Sequence, residues 1–160
     1  RALNSNVSGD MSNIIRWLLL APSIAVAWFT GIAAGLAIYS IKENMCPPQY
    51  VVSGTCFAPW SESIDCGAAA IGSTIAAFLI VLLPSLLAPR HKKIVANFLF
   101  LAGMVFASYL ATKAKFSPFE LSAFVGAAIG GLVGIAIVHR RLAKSPLTSH
   151  SRGDGVPPRP

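Results

Sequence analysis

Three cysteines, Cys46, Cys56 and Cys66, recur every ten residues in the segment CPPQYVVSGTCFAPWSESIDC, and their sulfurs are the most reactive groups the sequence offers. They could form a structural bridge, exchange disulfides or hold a metal. Exchange depends on two sulfurs held close together, usually in a Cys-x-x-Cys pair, whereas nine residues separate each neighbouring pair here. A zinc site needs about four Cys or His ligands within reach, and His91, His139 and His150 all fall at the opposite ends of the apolar segments. A structural disulfide in an oxidising compartment is the remaining use, with one sulfur left over. Cys46 to Cys66 would tie together the ends of two successive helices across about twenty residues, for roughly 3 kcal/mol by chain entropy. Cys46 to Cys56, or Cys56 to Cys66, would close a smaller loop. The spacing does not choose among the three.

Other reactive groups do not converge. The sequence has no Ser, His and Asp on one side, no glycine-rich loop between a strand and a helix, and no paired carboxylates within an apolar segment. Glu62 and Asp65 precede the second apolar segment, where negative charge suits a helix N-terminus. The sequence therefore nominates no catalytic residue, no metal ligand and no cofactor. Quinone-linked disulfide-forming enzymes and vitamin K epoxide reductases are likewise small helical membrane proteins with exported cysteines. A membrane thiol-disulfide oxidoreductase is thus a further alternative, although both families rely on a Cys-x-x-Cys pair that this sequence lacks.

The elements that must position these residues follow from composition. The chain is 54% hydrophobic and 12% charged, against about 25% charged in soluble domains. Four segments, about 17–41, 67–88, 94–112 and 119–138, approach the roughly 20 apolar residues that cross a hydrocarbon core. None has a charge in its middle or a polar face. The expected fold is all-α, an integral membrane four-helix bundle spanning residues 14–144, with an exported loop over 42–66. Arg16 and Ala25-Val26-Ala27 could mark a cleavable signal peptide, but the apolar run continues to Tyr39 as a retained span. Residues 1–13 form an N-terminal tail, in which the stretch before Met11 reads as an appended remnant or the end of a longer natural tail. Residues 145–160 are rich in Pro, Gly and Ser and read as a disordered tail.

Basic residues set the orientation, because cytoplasmic loops carry the excess of Lys and Arg. Arg90, Lys92 and Lys93 lie between the second and third segments, and Arg140, Arg141 and Lys144 follow the fourth. With Arg1, Arg16, Arg152 and Arg159, that side holds ten of the thirteen Lys and Arg. Both termini are then cytoplasmic and the cysteine loop is exported, in a plasma membrane or bacterial inner membrane. The net charge of +7 is accounted for by this anchoring and by anionic lipid headgroups, without a nucleic acid. On this topology the Asn6-Val7-Ser8 acceptor and the Arg152-Gly153-Asp154 triplet are both cytoplasmic and silent.

Helices in lipid associate through small residues that let their backbones approach. Ser23, Ala27, Gly31 and Gly35 form such a stripe in the first segment, and Ser122, Gly126, Gly130 and Gly134 form one in the fourth. Shorter stripes are Ala69, Ser73 and Ala77 in the second and Gly103, Ala107 and Ala111 in the third. Ser117-Pro118-Phe119-Glu120 matches a capping box, with Ser117 as N-cap and Glu120 returning to it. Asn97, Ser73, Thr74, Ser108 and Tyr109 are the polar groups within the segments, suited to interhelical or backbone hydrogen bonds. The four-span outline resembles junction proteins of the claudin type in architecture, without their Trp-Gly-Leu-Trp signature.

Coupled transporters place an ionisable group inside the bilayer at a cost of roughly 2.5–3.5 kcal/mol, and these segments have none. The expected function is that of a non-catalytic accessory, assembly or scaffolding subunit. Its partners would be membrane lipids and other transmembrane subunits or a second copy of itself. The alternative is a small transporter or channel for an uncharged or lipid-like solute.

Overall fold

The computed structural model describes residues 18–88, 92–113 and 117–144. Trp17, Arg90, His91, Lys115 and both tails lie outside the described residues. Four helices account for most of the rest: α1 (Leu20–Asn44), α2 (Ser61–Leu87), α3 (Lys92–Lys113) and α4 (Pro118–Lys144). All four are long and apolar enough to cross a membrane.

Two helix ends differ from the expected boundaries. α1 continues through Lys42 and Glu43 to Asn44, and α2 starts at Ser61, six residues before Gly67. The connection is therefore 45–60 instead of 42–66, and Cys66 belongs to the second turn of α2. A helix can extend beyond an apolar span with polar turns. α1 stops only where Pro47, at ψ 139°, is extended and its ring disfavours a helical Cys46. Pro84 does not break α2, which runs on to Leu87.

Between α1 and α2 the chain forms a one-turn 3-10 helix (Pro48–Tyr50) and a small antiparallel hairpin, β1 (Val51–Val52) and β2 (Thr55–Cys56). The two residues of its turn, Ser53 and Gly54, have φ of 51° and 82°. Positive φ at both positions is the requirement of a type I′ hairpin turn, and glycine meets it without strain.

α2 is the central element. α1 lies along one side of it and α4 along another, while α3 packs on α4 and, less extensively, on α2. α1 makes only slight contact with α3 and α4. The seam between α2 and α4 is the closest: a Cβ added to Gly130 would overlap the Thr74 carbonyl, and one on Gly126 would overlap the Ala70 carbonyl. The Thr74 hydroxyl bridges the same two helices, 2.6 Å from Ala70 O and 3.0 Å from Gly126 O. α1 meets α2 similarly at Gly31, where a Cβ would strike Ala76 and the Gly72 carbonyl. At the far end from the hairpin, Val81, Ala96 and Val138 are buried together, with Phe100 and Leu142 around them. That contact places Lys92 and Lys93 at the same end as Arg140 and Arg141.

Candidate functional site at the hairpin end

Tyr39 and Lys42 are three residues apart on α1 and so share a face. Lys42 sits in the last turn, where a cation complements the helix C-terminus, yet only 1% of its side chain is exposed. An unpaired buried ammonium would be prohibitively costly. Its Nζ lies 2.8 Å from Asp65 Oδ1 in the second turn of α2 and 3.1 Å from Glu43 Oε1, with the Tyr39 ring centroid at 4.2 Å. One ammonium thus joins two carboxylates from two helices.

Glu43 connects this cluster to the hairpin, since the Cys56 N–H donates to Glu43 Oε2 at 2.9 Å. Its Oε1 is buried and pairs with the Lys42 ammonium at 3.1 Å. The hairpin is closed by a disulfide between Cys46 and Cys56, whose Cα atoms are 5.8 Å apart. Cys66 is a free, half-buried thiol on α2. The bridge therefore fastens the hairpin to the end of α1 and does not link α1 to α2. That link is made by Lys42 and Asp65.

Because α1 rests mainly on α2, two apolar grooves open beside it. One, of about 680 Å³, runs between α1, α2 and the start of α4. Trp28 and Ile32 line its inner part, and Tyr39, Asp65 and Phe119 line its hairpin end. The other, of about 480 Å³, lies between α1 and α3 over α2 and α4. Bulky apolar residues such as Trp28, Leu99, Phe106 and Leu110 line it together with small ones such as Ala77, Gly103, Ala107 and Ala127, and Glu120 is also on its wall.

Of the small-residue stripes, Ala27 and Gly31 are buried against α2, Gly35 approaches the Ala68 carbonyl, and Gly126, Gly130 and Gly134 face α2. Ser23 and Ser122 bond to the carbonyls of Leu20 and Phe119 in their own helices. Gly103 differs, with no described residue within 4 Å of the position a Cβ would take. Ser117 precedes α4 and accepts the Glu120 N–H at 3.3 Å. Lys92 and Lys93 begin α3, Arg140, Arg141 and Lys144 end α4, and Arg90 is outside the described residues. Ser73 and Ser108 bond back to helix carbonyls at Ala70 and Met104. No group of three or more His, Cys, Asp or Glu that could hold a metal occurs among the described residues.

The Lys42 cluster and the hairpin are the features that the sequence reading missed. The hairpin had a local signal, because Ser53-Gly54 between Val-Val and Thr-Cys is a two-residue turn flanked by β-formers. The ion pair had none, since Lys42 and Asp65 are brought together only by the packing of two helices. Comparisons of the chain with protein-family models, characterised proteins and solved structures returned no match.

Proposed function

We propose that this chain is a multi-pass membrane protein, with the hairpin end exported and both termini cytoplasmic, that serves as a non-catalytic accessory subunit. On this reading it receives a transmembrane helix of another subunit in the groove between α1 and α3. The observation that carries the proposal is the open apolar groove, with Gly103 uncovered on its α3 wall. Small residues favour helix association in lipid because they allow close backbone contact. The glycines of α4 are a poorer choice for a partner, since α2 of the same chain already lies against Gly126 and Gly130. The occupant best matched to the groove is an apolar helix with a Lys or Arg near its exported end, where it would meet Glu120 on the groove wall.

Purification of the full-length protein from its native membrane in mild detergent tests the proposal. Gly103→Leu should preserve the fold and remove a co-purifying transmembrane subunit. Retention of that subunit by Gly103→Leu, or its absence from the wild-type preparation, contradicts the reading. A second copy of this chain in its place would make the assembly a homo-oligomer.

A further inference from the structure

The groove between α1, α2 and the start of α4 has a different character from its neighbour, and the inference drawn from it does not depend on the accessory role. Asp65 is its one charged lining residue among the described residues, and Gly35 and Gly72 lie on its floor. Trp28 and Tyr39 both line it and are eleven residues apart on α1, so at 1.5 Å per helical residue it extends about 16 Å from its polar end. Such a groove accepts a single extended apolar chain.

The local charge determines the head group. Asp65 and Glu43 share one ammonium, that of Lys42, so the cluster is one positive charge short. A carboxylate accepts up to about four hydrogen bonds, and the pair with Lys42 does not exhaust Asp65, whose side chain is 33% exposed. An anionic head would be repelled, and a neutral head would gain little. A cationic donor would complete the charge balance through a charge-assisted bond, the stronger kind.

We propose that this groove binds an amphiphilic amine, with its ammonium against Asp65 and its alkyl chain lying along α1 toward Trp28. The selectivity resides in the carboxylate, while the glycine floor supplies only room.

The test uses the full-length protein in phosphatidylcholine nanodiscs, with retention of radiolabelled dodecylamine measured above that of empty discs and radiolabelled dodecanol as the neutral control. Dodecylamine should bind saturably and dodecanol should not. Asp65→Asn should weaken binding at least about tenfold, as expected for the loss of one charge-assisted contact. Because Asp65→Asn also removes a Lys42 partner, Ile32→Trp serves as a second variant. It narrows the groove at an exposed position without touching the ion pair, and it should also abolish saturable binding. Equal binding of dodecanol and dodecylamine, or wild-type binding by a folded Asp65→Asn or Ile32→Trp protein, would overturn the proposal. The first of those results would mean that the groove takes apolar chains without reading their heads.

Discussion

The seam between α2 and α4 and the gap between α1 and α3 both contain small residues, with opposite results. At the seam, Gly126 and Gly130 bring one backbone against the carbonyls of Ala70 and Thr74, leaving no room for a side chain. Across the gap, Gly103, Ala107 and Ala127 lie with Trp28, Leu99 and Phe106 around an open groove, and no described residue lies within 4 Å of where a Gly103 side chain would begin. Small residues permit approach but do not compel it. The difference lies in the other contacts of each helix: α4 is held by α2 and α3 together, whereas α1 is held by α2 and by the buried Lys42 at its end.

Substitutions that fill the seam should have the largest effect. Gly130→Leu must displace a backbone carbonyl, and it is expected to cost about 3 kcal/mol or more, the upper range of overpacking. Thermal denaturation in detergent should show this as a large fall in Tm or as loss of folded protein.

The hairpin end comes next. Replacing Cys46 and Cys56 together by Ser releases a short loop, for which chain entropy gives about 2.5 kcal/mol. Cys66→Ser should leave the melting curve unchanged, because that thiol is unbridged. Lys42→Met leaves Asp65 and Glu43 without their cation. Its cost should be about 2 kcal/mol, below the roughly 3–5 kcal/mol of a fully buried pair, because both carboxylates keep some access to water. Adding Asp65→Asn to Lys42→Met should recover part of that loss, which a double-mutant cycle would measure.

A small effect on stability is expected in the gap. Gly103→Leu should change stability by no more than about 0.5 kcal/mol, as at other uncrowded surface positions. A cost near that of Gly130→Leu would mean that the groove is closed.

Much of this architecture could be read from the sequence because lipid-compatible helices announce themselves in composition. Four apolar segments gave four helices, with errors only where polar turns extended them, as at Lys42–Glu43 and Ser61–Asp65. The Cys46 to Cys56 pairing was one of three open choices and depended on the Ser53-Gly54 turn, which folds the chain back so that Cys56 reaches the end of α1. The Lys42 to Asp65 pair joins residues 23 positions apart, and no periodicity within either helix encodes it. Stripe spacing also did not distinguish Gly130, which faces α2, from Gly103, which faces open space.

A photoreactive methionine analogue offers the most direct test of an open, partner-receiving groove. Met104 lines that groove, whereas its neighbour Val105 is 71% exposed on the outer face of α3. With the analogue placed at either position in full-length protein in native membranes, irradiation should crosslink position 104 to an apolar segment of another polypeptide and position 105 to lipid. Lipid adducts alone at both positions, or equal protein adducts at both, would contradict the account.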